Sequence, residues 1–272
     1  MSGSSQATGH ASGHAAISAA ISAARQRGGP ALVAYLTAGF PRKENFAADV
    51  KRVASAADVL EIGVPFTDPM ADGMTIQRAS HAALMQGVSL RWILGELAAL
   101  SPRPAAPLLL MSYLNPLLAF GLDTLPARAR AAGVSGFIVP DLPFEECAEL
   151  RDALGEAGIG LVQMVTPVTP PERLRLLCTG AQCFIYAVTM TGTTGKSVTV
   201  PEDVLEYLGR ARRAATIPVC AGFGIRSRAQ IERLDGHVDG VIVGSALVEV
   251  LERGEDPVAF LNGLRIAAGR RP

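Results

Sequence analysis

The sequence has few aromatic residues, no excess of either charge and no long apolar run. Aromatic side chains make up 5% of its 272 residues, and 25 basic residues balance 25 acidic ones. A balanced charge is not typical of proteins that bind nucleic acid or an anionic membrane surface. No run approaches the ~18 apolar residues that a membrane span needs. We therefore predict small-molecule partners, with no nucleic-acid and no membrane binding.

Cysteines are also scarce, and no two of them form a C-x-x-C pair. They lie in or beside apolar runs, at Cys147, Cys178, Cys183 and Cys220. This placement favours buried free thiols in a reducing compartment over disulfides or a metal site. His10 and His14 are a weak metal pair without further ligands nearby in the sequence. We therefore predict a cytoplasmic protein that holds no metal.

The first 16 residues differ in composition from the rest. They are rich in Ser, Gly and Ala, and they lack the basic start and apolar centre of a signal peptide. We predict a flexible tail over residues 1–16 and a single domain over residues 17–272. With 49% hydrophobic residues, a chain of this length can bury a large core.

Eight short apolar runs alternate with stretches of helical periodicity. The predicted strands are residues 31–39, 58–65, 106–113, 136–140, 160–167, 183–190, 217–222 and 240–244. Strands that are apolar on both faces and alternate with helices are typical of a parallel sheet covered by helices. Eight such units in about 250 residues predict an α/β fold, the closed (β/α)8 TIM barrel.

Helical periodicity locates the helices between these strands. They are predicted at residues 45–56, 76–100, 125–132, 145–157, 170–177, 202–214 and 228–234. Thr169-x-x-Glu172 and Ser227-x-x-Gln230 have the spacing of capping boxes. An extra N-terminal helix over residues 17–24 is expected to cap one end of the barrel. An open doubly wound sheet is the alternative, although Gly222-Phe-Gly224 lacks the third glycine of a dinucleotide fingerprint.

Acidic residues cluster around the second predicted strand. Glu61 lies inside this apolar strand, and Asp68 and Asp72 follow in the next loop. A buried carboxylate needs a partner, a raised pKa or access to the barrel mouth, and a raised pKa suits general acid–base catalysis. Asp68 and Asp72 are also ordinary turn residues. Asp141 follows the fourth strand and could either face the mouth or begin a helix.

Glycine-rich segments follow the last three predicted strands. They are Thr191-Gly-Thr-Thr-Gly195, Gly222-Phe-Gly224 and Gly244-Ser245. Glycine lets backbone N–H groups approach an anion, and a helix N-terminus adds favourable partial charge. Each glycine could instead allow a tight turn, but the last two segments hold the position where many barrels bind phosphate. The three together favour a phosphate site.

Seven segments carry a family resemblance over nearly the whole chain. They are Tyr35-Leu-Thr-Ala-Gly39, Glu61-Ile-Gly-Val-Pro-Phe-Thr-Asp-Pro-Met-Ala-Asp-Gly73, Thr75-Ile-Gln77, Met111-Ser-Tyr-Leu-Asn-Pro116, Pro140-Asp-Leu-Pro143, Ala221-Gly-Phe-Gly-Ile225 and Val243-Gly-Ser245. Together they resemble the tryptophan synthase alpha subunit family. The resemblance implies a β/α barrel that cleaves indole-3-glycerol phosphate to indole and glyceraldehyde 3-phosphate by a retro-aldol reaction, late in tryptophan biosynthesis.

The resemblance also implies a role for individual residues. Glu61 would carry protons to the indole ring carbon and from the side-chain hydroxyl, and Asp72 would stabilise positive charge at the indole N–H. The phosphate would bind near Gly195, Gly224, Gly244 and Ser245. The indole would lie among Tyr35, Tyr113, Tyr186, Thr194 and Phe223. Without the family, each aromatic residue could equally belong to the core.

A partner is implied as well, a beta subunit that receives indole in an alpha2beta2 complex. Pyridoxal phosphate would belong to that partner, and this chain would hold no cofactor. The contact would include Asp68, Asn115 and Pro116, and residues 189–200 resemble a mobile lid. Met74, Leu114 and Thr193 depart from the family pattern. A stand-alone lyase and a subunit that only activates its partner remain alternatives.

Overall fold

The computed structural model describes residues 13–189, 200–222 and 224–266. Within these residues nine strands form one parallel sheet. They are β1 Ala31–Thr37, β2 Val59–Gly63, β3 Leu108–Met111, β4 Val134–Ile138, β5 Gly160–Leu161, β6 Gln163–Val165, β7 Ile185–Val188, β8 Val219–Gly222 and β9 Gly240–Val243. Their order in the sheet is β5-β4-β3-β2-β1-β9-β8-β7-β6.

β5 and β6 are two halves of a single barrel strand. β5 pairs with β4, β6 pairs with β7, and Val162 is the one residue between the two halves. The backbone N–H of Val162 donates to the carbonyl of Phe137 in β4, at 2.9 Å. Because the chain runs directly from β5 into β6, the two ends of the sheet are joined and the barrel is closed. The predicted eight-unit barrel is confirmed, and the open-sheet alternative is wrong.

Helices cover the outside of the barrel, apart from the first helix, which closes one end. In the described residues they are α1 Gly13–Gln26, α2 Phe46–Ala56, α3 Met74–Met85, α4 Leu90–Ala99, α5 Leu114–Phe120, α6 Leu125–Ala131, α7 Ala148–Glu156, α8 Pro171–Gly180, α9 Glu202–Ala214, α10 Arg228–Leu234, α11 Ser245–Glu252 and α12 Pro257–Leu264. Two short 3-10 turns are Lys43–Asn45 and Phe144–Glu146. None of the helices in the described part of the chain has the length and hydropathy of a membrane span.

Two local predictions need correction. The single helix predicted over residues 76–100 is two helices, α3 and α4, because Gly87 turns the chain with φ +72°. The Thr169 capping box does not form, since Pro170 is the N-cap of α8 and the Thr169 hydroxyl accepts from the N–H of Thr166 at 2.9 Å. The predicted box of Ser227 and Gln230 is confirmed at α10.

α1 closes the end of the barrel where the strands begin. Ile17 and Ile21 have no exposed surface and pack among the inward-facing side chains of the strands. The helix starts four residues before the predicted segment. Its first residue, Gly13, lies close to the backbone of Gly158, since a Cβ at this position would be 2.9 Å from the Gly158 carbonyl oxygen. Because α1 covers this end, the opposite end carries the accessible loops. The division into a tail and one domain stays a prediction.

Candidate active site

Glu61 points into the barrel from the middle of β2. It pairs in register with Tyr35 of β1 and Leu109 of β3, and the exposed fraction of its side chain is 1%. Its Oε2 atom is buried and has no hydrogen-bond partner among the described residues. Burial, and to a smaller extent the nearby Asp72 carboxylate, raises the pKa of Glu61 to about 8. Glu61 is therefore mostly protonated at pH 7 and can donate a proton.

Asp72 approaches the same space from the loop that follows β2. Its backbone N–H donates to the Pro69 carbonyl at 3.0 Å, and its own carbonyl accepts from the Gln77 side chain at 2.8 Å. The Tyr113 hydroxyl donates to Asp72 Oδ2 at 3.2 Å and accepts from the N–H of Ala71 at 2.9 Å. Burial raises the pKa of Asp72 to about 6, although the Tyr113 hydrogen bond opposes the rise. Asp72 is therefore mostly ionised at pH 7.

Three buried tyrosines surround these two acids. Burial raises the pKa values of Tyr35 and Tyr186, and the charges of Asp72 and Glu61 raise both further, which means that each ring lies close to both carboxylates. The Tyr35 hydroxyl lies 3.2 Å from Thr37 Oγ1. Tyr113 supplies the third ring, through its hydrogen bond to Asp72. The predicted aromatic residues Tyr35, Tyr113 and Tyr186 thus meet in one place, while Thr194 and Phe223 lie outside the described residues.

The glycines predicted to bind phosphate follow neighbouring strands. Gly224 is exposed with φ +79°, and Gly244 and Ser245 form the start of α11. No side chain caps this helix, so its first N–H groups are available to an anion. A Cβ on Gly244 would lie 3.8 Å from Tyr35 Cβ, so the helix start adjoins the tyrosine cluster. Gly195 lies outside the described residues.

Sequence comparison places this geometry in a known family. The family model described as "Tryptophan synthase alpha chain" matches residues 21–265. The tryptophan synthase alpha chain of Nitratidesulfovibrio vulgaris strain DP4 is 44% identical over 88% of this chain and 93% of its own length. That of Carboxydothermus hydrogenoformans is 43% identical over 84% and 86%. The chain belongs to the tryptophan synthase alpha chain family. It is a carbon–carbon lyase of tryptophan biosynthesis that cleaves indole-3-glycerol phosphate.

Solved structures agree with this family assignment. Tryptophan synthase from Mycobacterium tuberculosis superposes with a TM-score of 0.84 at 35% identity, over 91% of this chain and 96% of that one. The tryptophan synthase a2b2 complex from Pyrococcus furiosus gives 0.80 at 34% identity, over 86% and 97%. The resemblance noted in the sequence is thereby confirmed.

The residues predicted to contact a partner lie on the loops beside Asp72. Asp68 is exposed in the loop after β2, and Asn115 and Pro116 lie in the first turn of α5, exposed and half-buried respectively. Tyr113 comes just before this turn, and its bond to Ala71 joins the two loops. Among the residues that the structure describes, no group of three or more His, Cys, Asp or Glu side chains could hold a metal ion.

Sequence reasoning missed two residues that shape the site and left a third undecided. Phe66 stacks on Tyr113 with ring centroids 5.2 Å apart, and Gln77 holds the backbone of Asp72. Both lie within the segments that carry the family resemblance, but only the fold shows which contacts they make. Asp141 accepts from the N–H of Leu114 at 2.9 Å, so it holds the first turn of α5.

The buried acid has a measurable consequence for stability. The pKa of Glu61 is about 8 in the folded chain against its ordinary value of 4.5, so the folded state binds more protons than the unfolded state between these values. Stability therefore falls as pH rises from about 4.5 to 8. Glu61→Gln removes this penalty, and we expect it to raise the free energy of unfolding at pH 7 by an amount on the order of 3 kcal/mol.

Urea denaturation of both proteins at several pH values tests this expectation. The gain should be present at pH 8 and largely absent at pH 4.5, where the carboxyl is protonated in either state. A gain that does not depend on pH would show that the pKa of Glu61 is not raised.

Proposed function

We propose that Glu61 and Asp72 are the catalytic pair of this lyase. The observation that carries the proposal is the buried Glu61 Oε2, which has no hydrogen-bond partner in the described residues and lies near Asp72 at the barrel mouth. Burial of a polar atom without a hydrogen bond costs free energy, and a substrate group that bonds to this oxygen would remove the cost. The two carboxyls also differ in charge at neutral pH, as an acid and an electrostatic partner must.

The proposed chemistry follows from these charges. Protonated Glu61 gives its proton to the ring carbon that bears the side chain, and the ring nitrogen becomes positively charged. Ionised Asp72 stabilises this charge at the indole N–H. The ring then accepts the electron pair of the breaking C–C bond, while the Glu61 carboxylate takes the proton of the side-chain hydroxyl as this carbon becomes an aldehyde. Glu61 ends protonated, so the cycle needs no added acid.

The rest of the proposed site holds the two ends of the substrate. Flat apolar surfaces of Tyr35, Tyr113 and Tyr186 suit the indole ring, and we include Thr194 and Phe223 from the family resemblance. The phosphate would bind the backbone N–H groups near Gly224, Gly244 and Ser245, together with Gly195. The open start of α11 supports this part of the proposal.

Gly224→Asp tests the phosphate site. A carboxylate at this position would repel the phosphate, and we expect KM for indole-3-glycerol phosphate to rise on the order of 100-fold, or about 2.7 kcal/mol. Gly236→Asp is the matched control, because Gly236 also has a positive φ, +86°, but precedes β9 at the closed end of the barrel. An unchanged KM in Gly224→Asp, or an equal rise in both variants, would exclude this phosphate site.

We also propose that the chain works with a beta subunit in an alpha2beta2 complex, as its relative from Pyrococcus furiosus does. Pyridoxal phosphate would be bound by that partner. Beside Asp68 and Asn115, the chain exposes large apolar side chains, Met70 at 82% in the loop after β2, Met74 at 80% at the start of α3 and Leu118 at 52% on α5. Exposed apolar residues grouped in this way are typical of protein interfaces. The four buried free cysteines support the proposed cytoplasmic location.

Met70→Asp should weaken binding of the beta subunit by at least about tenfold, because it places a charge in a surface that would become buried. Met85→Asp is the control, since Met85 is 75% exposed but lies at the C-terminal end of α3, about 16 Å along the helix from Met74. Titration calorimetry with the beta subunit gives both affinities. Equal affinities would exclude this surface, and high indole release without any partner would favour a stand-alone lyase.

A further inference from the structure

Two helices and one loop of the barrel mouth meet at a carboxylate outside the proposed catalytic pair. Glu249 lies on α11, and 25% of its side chain is exposed. It accepts a hydrogen bond from the Thr75 hydroxyl at 3.3 Å and forms an ion pair with Arg226. Thr75 is three residues after Asp72, and Arg226 is two residues after Gly224. One side chain thus connects the loop of Asp72 to the loop of Gly224.

The loop that carries Arg226 is itself held by the capping box of α10. Gln230 Oε1 accepts from the backbone N–H groups of Arg226 at 2.8 Å and Ser227 at 3.1 Å. Its Nε2 donates to the Gly224 carbonyl at 3.3 Å. Gly224 and Arg226 are therefore tied to the same helix, and a constraint on Arg226 is passed to Gly224.

We propose that Glu249 is a positioning residue that sets the distance between Asp72 and the phosphate site. The proposal rests on the proposed roles of Asp72 and Gly224. The substrate would be held at both ends, with its phosphate at Gly224 and its ring N–H at Asp72. The ring reaches Asp72 only when the two loops keep the correct separation, and a displacement of about 1 Å can cost 100-fold in rate.

The charges around Glu249 fit this role. A lone carboxylate near a bound phosphate would weaken its binding, but Arg226 balances the charge of Glu249. The pair therefore joins the loops without adding net charge beside the phosphate. Loss of Glu249 would leave Arg226 without this ion-pair partner, so binding of an anion should not weaken while the catalytic rate falls.

The structure offers a matched control on the next turn of α11. Glu252 also reaches across to α3, where it pairs with Arg78, and its Oε2 atom lies 2.8 Å from Arg78 Nη2. This second pair joins the same two helices. No described contact links it to the loop of Gly224, so its loss should weaken only the helix packing.

The test compares Glu249→Ala with Glu252→Ala in the full chain, by indole release and by competitive inhibition with glycerol 3-phosphate. We expect kcat of Glu249→Ala to fall about tenfold, while the inhibition constant of glycerol 3-phosphate stays equal to or below the wild-type value, because Arg226 without its partner favours an anion. Glu252→Ala should change neither value. A kcat of Glu249→Ala within twofold of the wild type, or an equal loss in Glu252→Ala, would overturn the proposal.

Thr75 supplies a second measurement that does not depend on an ion pair. Thr75→Val removes the hydroxyl that donates to Glu249 and should lower kcat about fivefold, while Thr75→Ser should restore it. Failure of Thr75→Ser to restore kcat would contradict the role of this bond. Asp72→Asn is measured in parallel. A wild-type kcat in Asp72→Asn would overturn the catalytic assignment. If kcat falls in Asp72→Asn but not in Glu249→Ala or Thr75→Val, only the positioning role of Glu249 is overturned.

Discussion

Glu61→Gln should lower kcat for indole release by about 1000-fold while substrate binding is retained. A general acid–base residue contributes on the order of 100- to 10,000-fold to a rate, and in the proposed cycle Glu61 both donates and accepts a proton. The amide has the shape of the carboxyl but can take neither role at neutral pH. Single-turnover measurements of indole formation, with enzyme in excess, would give the rate of the chemical step directly.

Folding controls make this result interpretable. The same substitution is expected to stabilise the chain at pH 7, because the buried carboxyl no longer has to be held in an apolar setting. Loss of activity together with a gain in stability is the behaviour of a functional residue, whereas a structural residue would lose both. A variant with wild-type kcat would exclude Glu61 as the proton carrier.

Much of the barrel was predictable because its strands are apolar on both faces and its helices are amphipathic. The predicted segments contain the observed strands in most units, apart from two residues at the start of β4, and the predicted helix bounds 202–214 and 228–234 match α9 and α10. The turn at Gly87 was not predicted. A helical pattern continues on both sides of it, and only its positive φ shows that the chain turns there.

The site was harder to predict because its contacts join residues far apart in the sequence. Pattern alone left Glu61 as a buried acid and Asp72 as a possible turn residue. The hydrogen bond from Tyr113 to Asp72 spans 41 positions, and that from Thr75 to Glu249 spans 174. Such pairs depend on which loops the barrel closure brings together, and no local pattern encodes them.

The pH dependence of kcat/KM should separate the two acids. Activity requires ionised Asp72, so it should fall as pH drops below about 6, and it requires protonated Glu61, so it should fall as pH rises above about 8. The substrate phosphate also titrates near pH 6, with a second pKa of about 6, so the wild-type profile alone does not assign the acidic limb.

Asp72→Asn resolves this ambiguity and should lower kcat/KM by about 100-fold at pH 7, since the charge opposite the indole N–H is lost. The Asp72 contribution to the acidic limb should disappear. The alkaline limb should move to lower pH, because the Asp72 charge helps to raise the pKa of Glu61. An alkaline limb that stays in place would show that the two carboxyls do not interact.

Tyr113→Phe completes the comparison, because it changes the pKa of Asp72 without removing the acid. The hydroxyl donates to Asp72 Oδ2 and lowers its pKa, so its loss should move the acidic limb to higher pH while the limb itself persists. The substrate phosphate does not contact this hydroxyl in the proposed site, and its own titration would not move. A shifted limb in Tyr113→Phe and a lost limb in Asp72→Asn would together identify Asp72 as the group that must be ionised.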